Sequence, residues 1–256
     1  MYQCGRRSSK LPSIEYDGQN WKQYLLQAKW KRFKSLHELL LEENDHIQTS
    51  IIEKEIVRVR TKEYYRYRMH ALQSFFRKYG NGFDEVYEIG SGAGFNLFTL
   101  YESKQFKKLH GLEISENGIE ASKQTAHYFK LDNVYFSKID LRQENDPSFK
   151  LITNKLVFSY YCLEQLKKDL SIVIDNIIKA RPSRVIHIEP VPLKNSLLEL
   201  NSYFYSLARD YSRNLTKELE KKQQQGLINI LNMEKCYYAP TIRHFPTIIV
   251  WEPRIF

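Results

Sequence analysis

Val86-Tyr-Glu-Ile-Gly-Ser-Gly-Ala-Gly-Phe-Asn-Leu-Phe-Thr-Leu100 reads as a short buried strand ending at Glu88-Ile89, a glycine turn, and a helix beginning near Phe95. Gly90, Gly92 and Gly94 alternate, so the turn has almost no side chains and a ligand can lie against its backbone. The open N–H groups at the start of the helix suit a polar or anionic ligand. The dinucleotide fingerprint requires glycines at its first, third and sixth positions. Phe95 holds the sixth, which weakens an NAD-dependent oxidoreductase. What remains is an acid, Glu88, followed by Gly-x-Gly-x-Gly. The plain alternative is an ordinary glycine-rich turn between strand and helix.

Working outward from this turn, strand and helix alternate from Phe83 onward. Glu85–Ile89 is followed by a helix to about Phe106, then by a strand, Leu109–Ile114. Ser115 is a good N-cap for a helix to about Lys130. Further strands are expected over Val134–Ile139, Lys155–Tyr160 and Arg184–Glu189, with a helix before the last ending near Ala180. Such alternation requires a mostly parallel sheet covered on both faces. A long polar helical stretch from about Ser196 to Gln225 precedes two closing strands, Leu227–Tyr238 and Thr247–Trp251, which suit an antiparallel finish. Residues 1–82 read as a helical N-terminal extension and 83–256 as the α/β domain. Residues 1–20 are polar and irregular. Helical periodicity is expected from Trp21 to about Glu43, from Ile47 to Val59, and from a cap at Thr61 to about Lys78. The Tyr, Arg and Trp content of this extension fits a lid as well as plain packing.

Hydrophobic residues are 42% and aromatics 14% of the chain, enough for a substantial core, which excludes global disorder. Cys4, Cys162 and Cys236 are far apart and form no metal-ligand spacing, so a reduced, cytoplasmic protein is expected. No signal peptide and no membrane span is read from the sequence. The net charge of +9 admits a nucleic-acid partner, but the basic residues are scattered without a long block, which favours solvated helix faces.

In open α/β sheets, ligands bind outside the carboxyl ends of the strands. Glu113 ends the second strand, where a carboxylate accepts two hydrogen bonds from a ribose diol, and Ile114 beside it can pack on an adenine face. Asp140 and Leu141 follow the third strand. The fourth runs into Ser159-Tyr-Tyr-Cys-Leu-Glu-Gln165. On the fifth, His187 and Glu189 share one face. Histidine is the usual base for a hydroxyl acceptor at neutral pH, although a satisfied core histidine explains His187 equally well. Glu164, His187 and Glu189 are therefore the catalytic candidates. A metal held by these three is the lesser reading, and no metal is expected. His70, His110, His127 and His244 show no ligand spacing.

The acid-x-Gly-x-Gly-x-Gly turn, with Glu113 and Asp140 in order behind it, resembles class I S-adenosyl-L-methionine-dependent methyltransferases. The resemblance covers about Phe83 to Phe256. It implies a Rossmann-like, mostly parallel seven-stranded sheet with an antiparallel closing strand. It also implies that Glu88, Gly90, Ser91, Gly92, Gly94, Glu113, Ile114, Asp140, Leu141 and Ser159 contact S-adenosyl-L-methionine, with Asp140 taking the adenine amino group. The (Asn/Asp)-Pro-Pro-(Tyr/Phe) motif of amino-methylating members is replaced by Ser159-Tyr-Tyr-Cys162, and the Pro-Cys of cytosine C5 methylation is absent. Leu163-Glu-Gln165 and Ile188-Glu-Pro190 look like methyltransferases of bacterial surface-glycan clusters, which implies a small or glycan-like acceptor methylated at a sugar hydroxyl. An RNA or protein methyltransferase, or a binding-only partner protein, is the alternative. The sequence does not fix the oligomeric state.

Overall fold

The computed structural model describes residues 21–41, 46–53, 55–191, 197–209, 211–212, 214–236, 238–239 and 245–254. Its centre is a seven-stranded sheet built from β3 (Glu85–Ile89), β4 (Lys108–Glu113), β5 (Val134–Lys138), β6 (Leu156–Tyr160), β7 (Arg184–Glu189), β8 (Ile228–Lys235) and β10 (Thr247–Pro253). The strand order is β5-β4-β3-β6-β7-β10-β8. β3 to β7 run parallel, and β10 runs antiparallel to both neighbours, β7 and β8. This is the expected Rossmann-like sheet with one reversed strand. The chain builds β3, β4 and β5 towards one edge and then returns to place β6 on the other side of β3. The carboxyl ends of β3 and β6 therefore flank the switch point, where a crevice opens.

The central strands are apolar on both faces because helices cover both. Val86, Phe158, Ile186 and Ile188 join one core; Tyr87, Ile89, Val157, Val185 and Trp251 join the other. The second is sealed by α6 (Leu170–Lys179), whose Leu170, Val173, Ile174 and Ile177 recur at helical spacing and are buried. The first is sealed by α3 (Thr61–Tyr79), α4 (Phe95–Glu102) and α5 (Glu116–Tyr128), through Met69, Leu72, Phe76, Leu97, Phe98 and Ala121. Ser115 caps α5 as expected, accepting the Gly118 N–H at 3.0 Å.

Upstream, three expectations are corrected. Ile47–Val59 is not a helix but an antiparallel hairpin of β1 (Ile47–Ile52) and β2 (Glu55–Arg60). Five of its residues are isoleucine or valine between Ile47 and Val57, stiff side chains that favour a pleated backbone. β1 also pairs with β9 (Tyr238–Ala239), forming a separate three-stranded sheet. The stretch from Trp21 is broken into α1 (Trp21–Leu26), a 3₁₀ turn (Lys29–Arg32) and α2 (Leu36–Leu40), with Ala28 in the left-handed region. Thr61 is the first residue of α3 rather than its cap, and its hydroxyl donates to the His46 carbonyl at 2.8 Å. The long stretch after β7 is likewise divided, into α7 (Leu197–Ala208) and α8 (Leu215–Gln224). Residues 1–20, with Cys4, and His244 lie outside the described residues. No described helix is long and apolar enough to cross a membrane.

Candidate active site

β3 ends at a turn that accepts no side chain where the chain passes closest to its neighbours. Gly90 has φ +71°, and a Cβ there would lie 2.1 Å from Cys162 Sγ. Gly92 has φ +53°, and a Cβ there would lie 2.7 Å from the indole of Trp21. Both positions combine a left-handed backbone with a close approach, so only glycine fits. Gly94 is the left-handed N-cap of α4 and stands off the cavity wall.

Around this turn the strand ends enclose a cavity of about 280 Å³. Of the residues expected to contact the cofactor, Gly90, Ser91, Gly92, Glu113, Ile114, Asp140 and Leu141 line it. The Glu113 carboxylate accepts the Gly92 N–H at 2.8 Å and those of Ile114 and Ser115 at 2.9 Å, which fixes it across the gap between β3 and β4. Asp140 receives a two-pronged contact from Arg142, both arms at 2.8 Å, and this pairing holds its carboxyl below the usual range. Phe95, Cys162 and Gln165 lie on the wall as well, Gln165 being a residue that the glycan-type resemblance implies for the acceptor pocket. Side chains that the sequence did not single out complete it: Trp21, Arg68, Asn96, Arg142, Tyr160, Tyr161 and Leu166 among them. Tyr161 sits at φ +54°, an unusual conformation for a bulky residue, directly after β6.

A methyltransferase-domain model matches residues 84–235 of the chain. The fold is shared with magnesium protoporphyrin IX methyltransferase from Synechocystis PCC 6803, solved with bound SAH (16% identity, 76% of this chain and 85% of that one, TM-score 0.56). It is shared too with the PH0226 protein of Pyrococcus horikoshii OT3 (17%, 74% and 91%, TM-score 0.55) and with the YcgJ protein of Bacillus subtilis (11%, 73% and 99%, TM-score 0.53). No curated protein matches the sequence. The chain belongs to the methyltransferase-domain family. It is an S-adenosyl-L-methionine-dependent methyltransferase of the class I fold.

In this methyltransferase, Glu88 and Ser159 lie behind the wall rather than on it. Glu88 is fully buried and accepts the Asn96 side-chain N–H at 2.6 Å, while burial pushes its carboxyl up to about 8. Ser159 donates to Glu189 at 2.6 Å and lies 2.9 Å from Nδ1 of His187, the residue paired with it across β6 and β7. Glu189 also accepts the Cys162 N–H at 3.1 Å. His187, Glu189 and Ser159 thus form one buried cluster beneath the Cys162–Gln165 loop. Burial depresses the His187 imidazole to about 3 and raises the Glu189 carboxyl to about 7. Glu164 is buried in the same loop. None of these three catalytic candidates reaches the cavity wall. Among the described residues, no group of three or more His, Cys, Asp or Glu side chains is arranged to hold a metal ion. Cys162 packs against Gly90 as a small apolar group, and burial holds its thiol well above its ordinary range.

Two of the unforeseen residues had a usable signal. Tyr160 and Tyr161 follow the fourth strand, and the strand-end rule that picked Glu113 points to them as well. Trp21 and Arg68 arrive from the N-terminal segments through tertiary packing, which no local pattern encodes.

Proposed function

We propose that this methyltransferase binds its donor across the carboxyl ends of β4, β3 and β6 and serves a small-molecule acceptor. Glu113 takes the ribose diol, Ile114 packs on the adenine, Asp140 takes the adenine edge, and the Gly90–Gly92 backbone faces the amino-acid end. The observation that carries this reading is the continuity of these residues along one cavity. The fit is supported by the cradle itself: at Gly92, and again at Gly118, a Cβ would press on Trp21.

S-adenosyl-L-methionine supplies an electrophilic methyl group on a sulfonium. The protein's part is alignment: the turn and Glu113 hold one partner, and Tyr160, Tyr161 and Gln165 border the space left for the other. Trp21 over Gly92 helps to exclude water. A sugar hydroxyl would need a base at the acceptor. His187, Glu189 and Glu164 stand behind the wall, so the geometry favours an acceptor atom that is already nucleophilic when bound. The buried Glu189 then acts as a positioning group, holding the Cys162 backbone and with it the floor of the cavity.

Calorimetry of SAM, SAH and NAD on the wild type and Glu113→Ala tests the reading. Micromolar SAM or SAH binding that is lost in the variant supports it. A preference for NAD, or no binding of either methyl-cycle ligand, would overturn it.

A further inference from the structure

Arg68 projects from α3 onto the cavity wall, far in sequence from every other group there. Its guanidinium lies 4.8 Å from the centre of the Tyr160 ring. Nε donates to the Tyr160 hydroxyl at 3.2 Å, and a terminal nitrogen donates to Asn96 Oδ1. A guanidinium carries five N–H donors in a rigid plane, so the fork retains donors beyond these two contacts.

The charge has no hydrogen-bonded anion among the described residues. Among the described residues no carboxylate forms an ion pair with Arg68. The titratable groups that act on it most are the phenols of Tyr160, Tyr64 and Tyr65. Glu88 hydrogen-bonds to Asn96 and not to Arg68, and although the Arg68 charge acts on it, burial outweighs that and pushes its carboxyl up to about 8. A cation drawn away from bulk water without a counter-charge is unfavourable, and an incoming anion reverses that penalty. The planar fork matches the two oxygens of a carboxylate.

We propose that Arg68, braced by Tyr160 and Asn96, is a carboxylate-binding subsite of the methyltransferase cavity. This rests on the reading that the cavity holds donor and acceptor together. Two carboxylates have the right chemistry: the one at the amino-acid end of the donor, and one on the acceptor. In the second case the acceptor carboxylate is itself the nucleophile. One of its oxygens stays on Arg68 while the other forms the new O–CH₃ bond. The methyl C–S bond breaks and its electron pair goes to sulfur, leaving a methyl ester and SAH. No proton has to be removed, in keeping with a wall on which the expected bases do not stand.

Calorimetry on the wild type, Arg68→Gln and Arg68→Lys separates the cases, with three probes: SAH, its decarboxylated analogue, and benzoate added to SAH-saturated protein. If the donor supplies the carboxylate, Arg68→Gln weakens SAH by about 10- to 100-fold, the range of one charge-assisted hydrogen bond. The decarboxylated analogue is then unchanged, and Arg68→Lys falls between. If the acceptor supplies it, SAH is unchanged, and benzoate binds the SAH-loaded wild type but not Arg68→Gln. Identical behaviour of wild type and Arg68→Gln towards SAH and benzoate overturns the subsite. Equal weakening of SAH and its decarboxylated analogue also overturns it, since Arg68 would then act only through packing. If the wild type binds SAH but not the decarboxylated analogue, weakened SAH binding by Arg68→Gln supports the donor case, because the carboxylate then carries the binding.

Discussion

Glu113 and Glu189 stand at the carboxyl ends of strands on opposite sides of the switch point, and each gathers backbone N–H groups from a loop. Glu113 holds the amides of Gly92, Ile114 and Ser115 and remains on the cavity wall. Glu189 holds the Cys162 amide and the Ser159 hydroxyl and is sealed behind it. The same functional group in the same kind of position therefore has two different environments. One faces the cavity; the other supports the loop that faces it. Position at a strand end selects candidates, and only the packing in front of each decides which of them meets the ligand.

The sharpest way to break this distinction is at the turn that separates the two carboxylates. Gly90→Ala adds a Cβ 2.1 Å from Cys162 Sγ at a left-handed position, and SAH binding should disappear. Unfolding by circular dichroism should show a loss of about 3 kcal/mol or more, and Gly90→Ala/Cys162→Ala should recover only part of it. A variant that binds normally would mean that the turn has more room than the structure gives it.

Next in size is Glu113→Gln. It removes the charge that three backbone amides share, and SAH affinity should fall about 100-fold, or ~3 kcal/mol, by calorimetry. Glu189→Gln should change SAH affinity by about threefold at most at pH 6, where the native carboxyl is protonated. A larger loss there would put Glu189 in contact with ligand and erase the distinction.

The smallest effects concern pH. Glu88 and Glu189 have folded pKa values of about 8 and about 7, above the ordinary carboxyl value, so the folded state binds the extra protons. Their contribution is complete below about pH 4.5 and is lost as pH rises through those values. His187 works in the opposite direction. Its pKa falls to about 3, so its contribution is present above about pH 6.5 and is lost as pH drops towards 3. Melting temperatures should therefore peak where the two windows overlap, between about pH 4.5 and 6.5. Glu189→Gln should flatten the alkaline limb by about 2–4 °C, and His187→Asn the acid limb by a similar amount. Unchanged limbs in both variants would show that the cluster is more solvated than its burial implies.

The parallel sheet was legible because its strands are nearly continuous apolar runs. Val86–Ile89, Leu156–Phe158 and Val185–Ile188 are buried on both faces, and glycine or polar residues bound them. The cavity wall was legible for a related reason: strand-end acids and a glycine turn are local signals with a fixed position in this architecture. Ile47–Val59 was not, because its apolar residues also fall at three- and four-residue steps, and periodicity in a short stretch does not separate the two structures. Its β-branched content was the better guide. His187 and Glu189 were correctly placed together but not relative to the cavity, since period two in a strand gives the shared face and not what lies over it. Arg68 was marked only through the Tyr, Arg and Trp content of the extension, because its place on the wall depends on how its helix docks.

The three-stranded sheet has a consequence for how the cavity is assembled. β1 pairs with β9, and almost the whole methyltransferase sheet lies between them in the chain. During synthesis the hairpin emerges early but finds this partner only after β8 has been made. The helix that brings Arg68 to the wall packs on both β1 and β9 and is thus secured by a late, non-local closure of the kind that slows folding. The donor pocket would be the last part of the molecule to mature, and a nascent chain would remain incompetent for methyl transfer until its final strands had formed.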